Sequence, residues 1–212
     1  MKTAITITVS ALAALVPAVL ADPTAFNLEI YEPTNHLGLD YAKVAAWNGS
    51  FFVGIAPSLD CGSLPDGPCD EYHATALEMG SNDTDPHSVH LAVKGPLTQT
   101  VYVKTDGFFG YSGPDPSNVL EAVPQGNGVS TTNFYYDPPT VGSSTGRFYF
   151  LGMDNLEWML CPSDRLPNLY QVFANLPSLA PPGGIEQCFT VALATVADEA
   201  PQAWQYIGIQ LE

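Results

Sequence analysis

Apolar and polar residues alternate along this chain in short runs, and turn residues end each run before a helix of useful length could form. Phe26-Asn27-Leu28-Glu29-Ile30 places Phe26, Leu28 and Ile30 on one face and Asn27 and Glu29 on the other, the repeat of a half-buried strand. Gln99 to Lys104 repeats it, with Val101 and Val103 opposite Thr100, Tyr102 and Lys104. Further strands are expected at Phe51 to Ile55, Ala74 to Met79, Val89 to Val93, Arg147 to Leu151, Tyr170 to Ala174 and Cys188 to Val196. Another is expected at Leu156 to Leu160, with Leu156, Trp158 and Leu160 sharing a face. Only Asp40 to Ala46 and Ser117 to Val123 read as briefly helical, and both are too short to stand alone.

Between these runs, Gly110 to Pro116, Asp137 to Thr145 and Pro177 to Gly184 are Pro/Gly/Ser-rich and read as loops. Thr105-Asp106-Gly107 reads as a hairpin turn, because Asp-Gly readily takes up positive φ. The expected fold is an all-β, single-domain antiparallel β-sandwich with long Pro/Gly-rich loops, a β-barrel or trefoil-like arrangement being the alternative. No fixed-period repeat calls for a propeller or a solenoid.

The first 21 residues stand apart from this pattern. Lys2 precedes an uncharged stretch from Thr3 to Ala21, and Val19-Leu20-Ala21 offers small residues at the −3 and −1 positions of a cleavage site. Residues 1–21 therefore read as a secretory signal peptide and residues 22–212 as one β-rich extracellular domain. The apolar run is short for a membrane span. The C-terminal residues, ending in Glu212, lack the hydrophobic tail of a lipid-anchor signal.

An oxidising compartment suits the four cysteines, Cys61, Cys69, Cys161 and Cys188. They allow three connectivities, of which Cys61–Cys69 with Cys161–Cys188 is favoured, each closure worth roughly 2–4 kcal/mol. Their spacing does not match a zinc module. Two sequons, Asn48-Gly49-Ser50 and Asn82-Asp83-Thr84, mark Asn48 and Asn82 as candidate N-glycosylation sites.

Charge excludes two classes of partner. With 22 Asp+Glu against 6 Lys+Arg, the net charge of −16 suits neither a nucleic-acid binder nor adhesion to anionic membranes.

Catalytic patterns are sparse. Asp154 and Glu157 sit three apart in an expected strand and face opposite sides, while Glu29 and Glu32 fare no better as a pair. An aspartic protease needs two Asp turns of defined order, and Thr105-Asp106-Gly107 has the wrong order and no second copy. Gly142-Ser143-Ser144-Thr145-Gly146 resembles a nucleophile elbow only superficially and reads as a loop. The histidines are His36, His73, His87 and His90; the i, i+3 spacing of His87 and His90 separates them on a strand, so neither a metal site nor a cofactor is expected. Two aromatic groups could stack on sugar rings, Phe108-Phe109-Gly110-Tyr111 after the Asp-Gly turn and Phe134-Tyr135-Tyr136 beside a Pro-rich loop, and the second is the candidate carbohydrate contact.

Several segments recur in a fixed order: Phe51-Phe52-Val53-Gly54-Ile55 followed by Cys61, Ala74-Thr75-Ala76-Leu77, and Gln99-Thr100-Val101-Tyr102-Val103 leading to Gly107-Phe108-Phe109-Gly110-Tyr111. Cys161-Pro162, Tyr170-Gln171-Val172-Phe173-Ala174-Asn175, and Cys188-Phe189 leading to Val196 complete the set. In this order they resemble the secreted fungal phialide-associated (PhiA-like) cell-wall proteins, some of them IgE-binding and allergen-like. The chain departs from the family pattern in its Cys61-to-Cys69 loop and in the aromatic segment after Val196. The resemblance implies a non-enzymatic structural protein of the fungal wall or extracellular space, linked to phialide and conidium development. It would contact wall polysaccharide or wall glycoproteins. The alternative, from low pI and abundant carboxylates, is an acid-adapted secreted hydrolase of wall polysaccharide or protein.

Overall fold

The computed structural model describes residues 25–31, 38–60, 75–80, 87–93, 95–115, 122–126, 128–140, 142–198 and 205–206. The signal segment, Cys61, Cys69, Asn82, His36, His73, Glu32 and most of the Ser117 to Val123 segment lie outside them.

The alternating and apolar runs become strands. In chain order these are β1 (Ala25–Tyr31), β2 (Val44–Trp47), β3 (Ser50–Val53), β4 (Leu59–Asp60), β5 (Ala76–Met79), β6 (Val89–Leu91), β7 (Gln99–Lys104) and β8 (Phe109–Tyr111). Then follow β9 (Val129–Ser130), β10 (Phe134–Asp137), β11 (Gly146–Phe150), β12 (Trp158–Pro162), β13 (Tyr170–Ala174), β14 (Phe189–Asp198) and β15 (Gln205–Tyr206). The described residues hold no α-helix, only single 3-10 turns at Asp154–Leu156 and Ile185–Gln187.

The strands pair in the order β1-β5-β6-β7-β8-β3-β13-β12-β14, and β14 returns to β1 over seven register pairs from Ala25↔Asp198 to Tyr31↔Ala192. This closes a nine-stranded antiparallel barrel. The fold is all-β as expected, and of the arrangements left open it takes the barrel. Closure leaves β1 and β14 with no free edge between them, which removes a template for aggregation. The β10/β11 hairpin extends from β14, β2 lines up on β3, and β9 on β7. An isolated bridge, Phe108↔Phe173, also ties the start of β8 to β13, so β3 wedges into the open end of that seam.

Alternation decides which residues fill the interior. Phe26, Leu28 and Ile30 of β1, Val101 and Val103 of β7 and Trp158 and Leu160 of β12 all enter one core cluster. Its spine is aromatic: Phe51 stacks on Phe109 at 4.1 Å, Phe109 meets Trp158 at 4.7 Å, and Trp158 lies parallel to Phe148 at 5.7 Å. The indole N–H, which burial would otherwise leave unpartnered, donates to the Phe148 carbonyl at 2.9 Å.

Local expectations fail where long-range pairing overrides local preference. Asp40 to Ala46 is not helical: a turn at Asp40 and Tyr41 leads into β2, whose Val44, Ala45 and Ala46 are held opposite Val53, Phe52 and Phe51. Leu156 leaves the expected strand, because Asn155 and Leu156 adopt positive φ in the 3-10 turn and the strand begins at Trp158. The expected loop at Gly110 to Pro116 begins as strand, since β8 pairs with β7 through Val101↔Tyr111 and Val103↔Phe109. The Asp-Gly turn holds: the Gly107 N–H donates to the Lys104 carbonyl, and the Phe108 N–H donates to Asp106 Oδ1 at 3.1 Å.

Candidate functional site

Outward-facing residues of a barrel wall in contact with water should be polar. On one stretch of this wall they are not. Phe52 of β3, Tyr102 of β7 and Phe173 of β13 alternate with core residues and so point outward, yet they are 3%, 4% and 3% exposed. Loops rise around them and enclose a cleft of about 450 Å³.

Its walls are aromatic. Trp47 meets Phe52 edge-on at 5.7 Å, Phe108 lies over Tyr102 at 6.2 Å, and Phe108 meets Phe173 edge-on at 6.4 Å. Trp47 and Phe108 are the half-buried members, and both keep part of their surface open to the cleft. Lys104 Nζ sits 4.6 Å over the Phe108 ring, a cation–π contact that holds the ring in place.

The polar groups of the floor are satisfied. Gln171 Nε2 donates to Ser50 Oγ at 2.7 Å, and Ser50 Oγ donates to the Phe109 carbonyl at 3.0 Å. Burial, reinforced by the Asp106 carboxylate, pushes the Tyr102 phenol up to about 12, so it stays a neutral hydroxyl at any ordinary pH. Lys104, Arg165, Asp106 and Asp164 all line the cleft, a balanced set in a chain whose net charge is −16. Stacking faces, a neutral phenol and cancelled charge suit an uncharged polyhydroxy ligand better than an ion.

Of the aromatics that could stack on sugar, Phe108 and Tyr111 line the cleft and Phe109 is a core residue, whereas the Phe134-Tyr135-Tyr136 group lies elsewhere. Phe134 has no exposure: it is a core residue stacked on Phe148 at 5.8 Å, which corrects its assignment as a contact residue. Strand alternation then turns Tyr135 outward, where it lies parallel to Tyr149 at 5.3 Å and against His87 at 4.4 Å. Tyr136 packs on Phe26 at 4.4 Å. None of the three lines the cleft.

Three other expected residues are placed. Cys161 and Cys188 are disulfide-bonded, S–S 2.08 Å. Asn48 occupies the turn between β2 and β3, with φ of 47° at Asn48 and 78° at Gly49, and lines the cleft. Asn-Gly is the pair such a two-residue hairpin favours, because both positions need positive φ.

Phe108 and Tyr111 apart, the aromatic residues of the cleft were missed in the sequence, although a signal was present. Phe51-Phe52-Val53, Val101-Tyr102-Val103 and Val172-Phe173-Ala174 are continuous apolar runs, and a strand apolar on both faces is covered on both faces. A family model described as PhiA-like secreted protein matches residues 33–207. No curated protein and no solved structure matches the chain.

Proposed function

The chain belongs to the PhiA-like secreted protein family, and we propose that within it this protein serves as a structural component of the fungal wall, holding wall polysaccharide in the outer aromatic cleft. The observation carrying this reading is the cleft itself: six aromatic side chains line a charge-balanced space on the outside of a secreted barrel. Trp47 and Phe108 supply the stacking faces, and the Tyr102 hydroxyl supplies a donor that does not titrate away. A role in phialide and conidium development follows from the wall location and belongs to the same reading.

Binding tests it. Protein made in an oxidising host that adds no N-glycan is incubated with insoluble chitin and β-glucan. Trp47→Ala and Phe108→Ala should each weaken retention about fivefold, the loss of one stacking face at about 1 kcal/mol. Wild-type protein that is folded yet retained by neither polymer would refute the reading.

One observation favours the hydrolase as a second reading: Asp106 and Asp164 line the same cleft. Against it, Asp106 Oδ1 already accepts the Phe108 N–H that shapes the hairpin turn. Sugar release from the same polymers, abolished by Asp106→Asn with Asp164→Asn, would replace the structural role with a catalytic one.

A further inference from the structure

Asn48, the asparagine of a sequon, lines the aromatic cleft together with its chain neighbour Trp47. The hairpin register sets Trp47 opposite Ser50, and Ser50 belongs to the floor of the same cleft. A sugar joined to Asn48 therefore starts within reach of the Trp47 face. We propose that the protein's own N-glycan on Asn48 lies across this cleft, with its inner N-acetylglucosamine units against Trp47 and Phe108, and that removing or trimming it opens the cleft to wall polysaccharide. This regulatory role rests on the wall-ligand reading; the seating of the glycan does not.

Three observations converge on it. The cleft has the chemistry of a sugar site, with half-buried Trp47 and Phe108 opening into it. Its charges cancel, which fits a neutral glycan core. The tether is one side chain long, so the glycan's effective concentration at the cleft is on the order of millimolar. That is enough for a weak sugar–aromatic contact to be occupied much of the time.

The fold also dates the modification. Ser50, whose hydroxyl the sequon requires, is 3% exposed and held between Gln171 Nε2 and the Phe109 carbonyl. Gln171 lies 121 residues further along the chain. Transfer to Asn48 must precede docking of β13, and the nascent chain has that interval in which to receive the glycan.

The test compares the secreted glycoprotein, the same protein after enzymatic release of its N-glycans, and the Asn48→Asp variant, which retains the second sequon. Asp tolerates the positive φ of this turn, so the variant keeps the hairpin. Glycopeptide mass should show Asn48 occupied, and hydroxyl-radical footprinting should show Trp47 and Phe108 oxidised several-fold more slowly in the glycoprotein than in the other two. Soluble chitin and β-glucan hexasaccharides should bind the glycoprotein roughly two- to tenfold more weakly. An unmodified Asn48, or equal oxidation of Trp47 in all three proteins, overturns the proposal. Protection of Trp47 with no hexasaccharide binding by any form supports the seated glycan and sinks only the wall-ligand reading.

Discussion

A buried glutamine helps β4 hold the far end of the described chain, through the pairing of Tyr206 with Leu59 and its own amide. Gln99 is fully buried at the start of β7; its Oε1 accepts the Tyr206 N–H at 2.6 Å and its Nε2 donates to the Tyr206 carbonyl at 2.7 Å. The amide thus does for Tyr206 what a neighbouring strand would do, and Nε2 also donates to the Ser112 carbonyl at 3.0 Å. Tyr206 in turn is fully buried in the main core cluster, and its hydroxyl accepts the Ala76 N–H at 3.0 Å. Burial drives the phenol of Tyr206 well above its ordinary range, so it remains protonated. Gln99→Ala would leave both backbone groups of Tyr206 buried without these partners, a cost of about 2–5 kcal/mol. Tyr206→Phe removes the hydroxyl's bonds to the Ala76 N–H and the Thr75 side chain and should cost about 1–3 kcal/mol. Urea denaturation should therefore rank wild type above Tyr206→Phe above Gln99→Ala. A Gln99→Ala midpoint equal to wild type would mean that this clasp does not form in solution.

The strands were legible to different degrees, and the reason is physical. β1, β7 and β13 were readable almost to the residue, because alternation or a short apolar run reports burial directly. β2 was not: Val44-Ala45-Ala46 carries no local preference strong enough to reveal that β3 will align it. β10 was seen only as an aromatic cluster, and its two-residue repeat, with Phe134 inward and Tyr135 outward, was the signal left unused. The cleft is less legible still, since Trp47, Tyr102, Phe108 and Phe173 come from four segments that only the barrel brings together. The Cys161–Cys188 pairing was named from the sequence, and the strands explain it. Leu160 is opposite Phe189, so the next pair outward on β12 and β14 is Cys161 with Cys188, whose Cα atoms are 4.2 Å apart, as in a non-hydrogen-bonded antiparallel pair. The bond closes a 27-residue separation that contains β13. Replacing both cysteines by Ser should lower unfolding free energy by roughly 3–4 kcal/mol without changing the native far-ultraviolet circular dichroism. A loss below about 1 kcal/mol would show that the β12/β13/β14 pairings suffice alone.

At the scale of the molecule, the acidic surface and the closed barrel oppose one another. A net charge of −16 on a compact body repels itself, and the repulsion fades as pH falls toward the pI of about 4.2. Glu78 on β5 acts in the same direction. Burial raises its pKa from the ordinary 4.5 while it stands opposite His90 of β6 and Ala25 of β1. A carboxyl whose folded pKa is raised holds its proton more tightly in the folded state, so its contribution to stability is present below the unfolded value and is lost as pH rises through the folded one. Both effects predict a thermal midpoint that climbs as pH is lowered from 7 toward 5, the reverse of a protein held by carboxylate salt bridges. Salt separates them. At pH 7, 0.5 M sodium chloride screens the surface and should raise the midpoint by about 3–6 °C, the equivalent of about 1–2 kcal/mol for a chain of this size. Near pH 4.2 the same salt should change it little, because little net charge remains to screen. Glu78→Gln should flatten the pH dependence just above pH 4.5 and leave the salt response at pH 7 intact, since a half-buried carboxyl contributes through desolvation rather than long-range repulsion. Scanning calorimetry over this grid of pH and salt is decisive: a midpoint that falls on acidification, or ignores salt at pH 7, would show that the acids are paired in the folded barrel rather than spread over it as a solvated, self-repelling surface.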